Sequence, residues 1–205
     1  MRDSIYSEPF NLEEYYTEPE PEPSALFKLA QFLRNILETV IPAALIAILI
    51  NLFLAQATRV YGQSMEPSLH SDQRLVVEKL SYNSYIRQYF SFSSGPDRGD
   101  VVVVRVPAQN GELLIKRVIG LPGDQVEIHD GQVFVNSQTL PEPYLLNPTY
   151  GSYGPIIIPQ SQIFVLGDNR NFSNDSRNFG TVSLSEVIGR AWFSYWPMDE
   201  IGFID

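Results

Sequence analysis

Cysteine is absent from the 205 residues, and histidine occurs only twice, as His70 and His129. The first absence excludes disulfides, thiol nucleophiles and thiolate metal sites. The second argues against a histidine-built zinc site. It also means that a serine hydrolase built from this chain would need a base other than histidine. Basic residues are few, 14 Lys and Arg against 24 Asp and Glu, for a net charge of -10 that argues against nucleic acid as a partner. A long helical period is missing after residue 60.

The acidity is not spread evenly. Residues 1–23 hold seven acids and one base, -6, leaving -4 for the other 182 residues. The segment is rich in Glu, Pro and Tyr, ending in Glu18-Pro19-Glu20-Pro21-Glu22-Pro23, and has too little apolar surface to offset ordering entropy. Residues 1–24 therefore read as a disordered acidic tail. Next comes an apolar run from Ile36 to Gln56, broken mainly by Glu38, Pro42 and Asn51. As a helix its length would be about 31 Å, enough to cross a bilayer core. Lys28 and Arg34 before the run and Arg59 after it favour a cytoplasmic N-terminus. Ala55-Gln56-Ala57 would also suit a cleavable leader, but an acidic lead of this length does not fit one, and a permanent anchor is expected.

From residue 58 onward the pattern is that of strands. Leu75–Val77, Val101–Val106, Leu113–Ile119, Ile156–Ile158, Ile163–Leu166 and Ala191–Tyr195 are rich in branched or aromatic residues, and Gly, Pro or Asp punctuate the chain between them. Gln125–Ile128 and Val133–Val135 flank Asp130-Gly131, a hairpin signal. The expected organisation is an acidic tail (1–24), a membrane anchor with flanks (25–57) and a mainly β catalytic domain of folded antiparallel sheet (58–205). Between residues 81 and 98 the aromatics Tyr82, Tyr85, Tyr89, Phe90 and Phe92 read either as core or as a surface meeting the lipid interface, and Trp192 and Trp196 permit the same two readings.

Two short segments carry chemistry. In Gly62-Gln63-Ser64-Met65-Glu66-Pro67-Ser68-Leu69, glycine and proline frame a turn that can expose the Ser64 hydroxyl together with its own N–H. In Leu114-Ile115-Lys116-Arg117-Val118-Ile119, alternation puts Lys116 between Leu114 and Val118 on one strand face. Desolvation there would favour the neutral amine and make it a base for a serine. The same alternation turns Arg117 to the opposite face, where it is expected to stay solvated. A third segment, Gly167 to Gly180, is dense in polar side chains directly after an apolar strand, without the spacing of a calcium loop.

With Arg98-Gly99-Asp100-Val101 and Gly120-Leu121-Pro122-Gly123-Asp124, these segments make four ordered motifs, and from the anchor to about Gly180 the chain resembles type I signal peptidases. The resemblance implies an all-β, membrane-bound serine/lysine protease that cleaves signal peptides from exported preproteins without metal or organic cofactor. It implies Ser64 as nucleophile and Lys116 as general base. Ser173 would hydrogen-bond and orient the lysine, and Asp175 and Arg177 would form a supporting ion pair. The Ser64 N–H and a group near Gly62 would hold the oxyanion; some members carry a serine hydroxyl where this chain has Gly62. Asn171 and Phe172 also depart from the commonest loop, which often reads Asp-Asn there. Substrate would pair with the edge at Val60, Tyr61 and Gln63 and with the strand at Ile115. The implied setting is a monomer in a lipid bilayer, with the catalytic domain on the outer, periplasmic or lumenal, face. The rival of another class is a non-catalytic membrane-tethered β domain that binds exported chains.

Overall fold

The structure is a computed structural model that describes residues 23–51, 55–82, 95–107 and 110–204. Residues 1–22 of the acidic tail and residues 83–94 of the aromatic stretch lie outside the described residues. The chain divides into two compact units, Met1–Ile46 and Ala47–Asp205.

The first apolar element is helix α1, Ala25–Leu49, with Pro42 inside it and no buried residue. Its 25 residues correspond to about 37 Å. Length and composition suit a membrane span. The helix starts at Ala25 rather than at Ile36, because Lys28, Gln31 and Arg34 interrupt the apolar pattern without breaking helical propensity. The end of the apolar run is different again: Ala55–Arg59 is a strand, β1.

The rest is mostly antiparallel β-sheet, twelve strands among the described residues. After β1 come β2 (Arg74–Glu78), β3 (Val101–Val106), β4 (Glu112–Gly120), β5 (Gln125–His129), β6 (Gln132–Val135), β7 (Gln138–Thr139), β8 (Tyr153–Ile157), β9 (Gln162–Leu166), β10 (Val182–Ser183), β11 (Val187–Trp196) and β12 (Gly202–Phe203). The larger sheet has the order β1-β2-β11-β3-β4-β9-β10, with β12 also on β11; the smaller is β7-β6-β5-β8 and lies between β4 and β9 in the chain. Asp130 and Gly131 turn the β5–β6 hairpin, both at positive φ (51° and 79°), the pairing that a tight two-residue turn requires.

The valine run of β3 is buried on both faces. Val101 belongs to a cluster with Val60, Met65, Leu69, Leu75, Ala191 and Ile204, which packs beneath the Ser64 turn. Val102, Val104 and Val106 belong to another, with Val118, Ile163, Val165, Val182 and Val187. A third cluster (Ile119, Val126, Ile128, Val133, Ile158, Phe164) joins the small sheet to the ends of β4 and β9. A central strand walled on both sides has no wet face, so period-two alternation does not sort its side chains into core and solvent. This bears directly on β4, its hydrogen-bonded neighbour.

Candidate functional site

Ser64 lies in the turn just after β1. That turn is closed by the Glu66 N–H donating to the Gln63 carbonyl and the Leu69 N–H to the Met65 carbonyl. Met65, 1% exposed, is the plug that fixes it to the core. Gly62 has φ +81°, a left-handed conformation that non-glycine residues adopt at a cost. The Ser64 N–H donates to no described residue, while its carbonyl accepts from the Asn169 N–H at 3.1 Å. The Asn169 side-chain amide donates to the Gln63 carbonyl at 3.1 Å. Thus the polar loop after β9 clamps the serine turn from the side.

Lys116 lies in the middle of β4, opposite Val102 of β3. It is 2% exposed, and its Nζ lies 2.6 Å from Ser64 Oγ. Burial pulls its pKa down from 10.5 to about 8, against the opposing pull of Asp175, Asp168 and Glu112. Two residues 52 positions apart in sequence are therefore in hydrogen-bond contact, and the amine is poised to be neutral in mildly alkaline water.

Arg117 is not solvated. It is 3% exposed and forms a bidentate pair with Asp168 (2.9 and 2.8 Å). It also donates to the Gly99 carbonyl and lies 4.1 Å from the centre of the Tyr144 ring. The expectation failed because β4 is covered on both faces from Lys116 onward, and only ion pairing makes that position tolerable for a guanidinium.

The loop residues sort into two groups. Asp175, fully buried, caps the short helix α2 (Ser176–Phe179) and pairs with Arg177 at 2.8 Å. It also accepts from the Gly167 N–H, so the ion pair expected here is present and pins both ends of the loop. Ser173 differs from expectation. Its Oγ is buried but makes no hydrogen bond to Lys116 or to any other described residue. It packs against Gly167, whose other near neighbour is the Ser64 carbonyl. The lysine's short contact goes to Ser64 Oγ instead.

On one side of Ser64 an open depression of about 360 Å³ is lined by Thr58, Val60, Tyr61, Leu114, Ile115 and Lys116, among others. Val60, Tyr61 and Ile115 thus meet at this depression, whereas Gln63 lines a separate one. Sequence reading did not find Asn169 as a clamp, nor the buried pair of Arg170 with Glu142, which Thr149 extends. Asn169 could have been suspected from its place beside Gly167-Asp168; Glu142, in a proline-rich loop, gave no signal. Among the described residues no group of three or more His, Cys, Asp or Glu side chains is arranged to hold a metal ion.

Comparison with known proteins gives a uniform result. The model of a family described as signal peptidase, peptidase S26, matches residues 33–196. A probable signal peptidase I-2 of Synechocystis sp. is 40% identical over 172 residues, 82% of this chain and 75% of the relative. Signal peptidase I of Leptolyngbya laminosa is 38% identical over 173 residues, 81% of each chain. Signal peptidase I of Bacillus licheniformis is 35% identical over 175 residues, 80% of this chain and 89% of the relative.

Proposed function

The chain belongs to the signal peptidase I family of serine peptidases, and from that premise we propose that it removes signal peptides from exported preproteins with Ser64 as nucleophile and Lys116 as general base. The observation that carries the assignment is the 2.6 Å contact between Lys116 Nζ and Ser64 Oγ inside a dry wall. A neutral amine accepts the hydroxyl proton as Ser64 Oγ attacks the scissile carbonyl. The resulting ammonium then returns that proton to the leaving amine. Lys116, neutral again, takes a proton from the water that hydrolyses the ester. The unpaired Ser64 N–H is available to the oxyanion, and Gly62 leaves the backbone there open to approach.

The preprotein enters extended along Val60, Tyr61 and Ile115, with small residues before the cut in the depression they line. Asp175 and Arg177 hold the loop against β9, and Ser173 acts as a positioning residue beside the dyad. One N-terminal apolar helix fits a membrane-anchored protein. The reading takes Ala25–Leu49 as that anchor, with the N-terminus cytoplasmic and the catalytic unit, as a monomer, on the outer face. An anchor on both enzyme and substrate makes their encounter nearly intramolecular.

The test uses the purified full chain in detergent with a preprotein. Mass spectrometry should map one cut after the signal segment for wild type and none for Ser64→Ala or Lys116→Met. Equal cleavage by either variant would overturn the assignment.

A further inference from the structure

A second depression of about 310 Å³ borders the serine turn at Gln63, Glu66 and Pro67 and shares no lining residue with the depression at Val60 and Ile115. Its lining includes Gln63, Glu66, Pro67, Asn169, Asn171 and Phe172. Its lining also contains Asp168 and Arg170, but both are neutralised from behind. Asp168 is held by Arg117, and Arg170 by Glu142 and Thr149, all in buried pairs. Glu66 is different. The residue is half-buried, and its carboxylate makes no hydrogen bond or ion pair to any described residue. Phe172, 75% exposed, lines the same depression at a position where the sequence departs from the commonest loop. The amide of Asn169 is anchored on the Gln63 carbonyl, so the wall between them is rigid.

We infer that this depression receives the segment of the preprotein that follows the cut, and that Glu66 and Phe172 make it select a basic side chain and reject an acidic one. The inference deepens the proposed function and rests on its assignment of Ser64 as the attacking residue. An extended chain that fills the Val60–Ile115 depression up to its scissile bond at Ser64 must leave on the other side. At about 3.3 Å per residue, the first two or three residues after the cut reach this lining. Alternation along an extended segment turns only every second side chain toward it, so the preference falls on one or two of those positions. A lysine or arginine there meets an unpaired carboxylate and an aromatic face, each a modest attraction at a partly solvated site. An aspartate meets a like charge, and the one cation among the described lining residues, Arg170, is already paired with Glu142. Together these effects are worth about tenfold in kcat/KM between lysine and aspartate.

The experiment measures kcat/KM for a set of preprotein-derived peptides with Lys, Ala or Asp placed singly at each of the first three positions after the cut. Wild type, Glu66→Gln, Glu66→Lys and Phe172→Ala are compared on the full chain. The expected result is a lysine-over-aspartate preference of about tenfold at one or two positions. It should fall to near unity in Glu66→Gln, reverse in Glu66→Lys and drop about threefold in Phe172→Ala. The alanine peptide is the internal reference for each variant, so a loss of fold lowers all rates together and leaves the ratios readable. Should Glu66→Gln not fold, the exposed Phe172→Ala still reads the same preference. A flat profile in wild type, or one that Glu66→Gln and Phe172→Ala leave unchanged, overturns the inference. If those peptides are cut as fast by Ser64→Ala as by wild type, the assignment of the dyad fails instead.

Discussion

Arg117 and Asp168 form a bidentate ion pair between β4 and the segment after β9, with side chains 4% and 0% exposed. Arg117 is the immediate neighbour of Lys116, and the Asp168–Asn169 peptide donates to the carbonyl of Ser64. One buried pair therefore ties the strand that carries the amine to the loop that clamps the hydroxyl. Breaking such a pair from one side leaves a bare charge in a dry place and costs about 3–5 kcal/mol. Arg117→Met or Asp168→Leu alone should lower stability by that much in chemical denaturation. The double variant should recover most of the loss. If the two losses simply add, the pair is not the tie described.

Lys116 sets a pH dependence in two observables. In the folded protein it titrates at about 8, against 10.5 ordinarily. Cleavage should rise with pH up to about 8 and level off, and at pH 6 it should be about a hundredfold below the plateau. Stability follows from the same difference. Between pH 8 and 10.5 the unfolded chain holds the proton and the folded one does not, so stability rises with pH through that window. Below it, the folded protein carries a buried charge at a cost of about 3 kcal/mol. Lys116→Met should thus be inactive yet more stable than wild type at pH 7, with the gap closing by pH 10.5. Denaturation curves that keep a constant gap at both pH values would contradict the burial argument.

Much of this was legible in the chain. Branched runs bounded by Gly, Pro and Asp marked the long strands, Asp130-Gly131 marked a hairpin, and the serine turn and the lysine strand pointed to one chemistry. Legibility ended where the deciding force was not local. Ala55–Arg59 has weak strand propensity and is a strand only because β2 pairs with it. The two-residue strands β7, β10 and β12 are too short to leave a pattern. Arg117 was misjudged because alternation presumes one wet face, and β4 has none from Lys116 to Gly120. Arg170 and Glu142 lie 28 positions apart in loops without periodicity, so their buried pair exists only once the small sheet is placed.

Ser173 offers a test that separates packing from positioning. Its hydroxyl is buried and unpaired, an arrangement that contributes nothing to stability and costs about 1 kcal/mol or more. Ser173→Ala should leave the melting temperature unchanged or slightly higher. If the hydroxyl positions the lysine during turnover, kcat should fall about tenfold with KM nearly constant, and the midpoint of the pH–rate profile should move down as the amine loses a polar neighbour. A variant that melts earlier while keeping its kcat and pH profile would make Ser173 a packing residue only.

Asp175 should behave in the opposite way. It is fully buried and accepts from the backbone of Gly167 and Arg177 and from the Arg177 guanidinium. Asp175→Ala removes the acceptor of four hydrogen bonds at once and should cost several kcal/mol, and in any surviving folded fraction the midpoint of the pH–rate profile should move down, because the Lys116 ammonium loses the pull of that carboxylate. Thermal melts with unchanged midpoints would refute its role as the pin of the loop.

Gly167 is the tightest point between that loop and the serine. A Cβ built there would overlap Ser173 Oγ and the backbone carbonyl of Ser64. The first neighbour is a small side chain, but the second is main chain in a turn already held by Met65 and Asn169. Relief must come from moving the serine turn itself, and overpacking of this kind costs about 1–3 kcal/mol. A displacement of about 1 Å at the nucleophile lowers turnover about a hundredfold. Gly167→Ala should therefore lose far more activity than stability. Gly62→Ala, where a Cβ meets nothing within 4 Å but φ is +81°, should lose about 1 kcal/mol of stability. Measured side by side, the two variants separate steric displacement of Ser64 from backbone strain. Comparable activity in Gly167→Ala and wild type would mean that the serine turn tolerates the shift, and that Asn169 and Met65 do not hold it as tightly as their contacts imply.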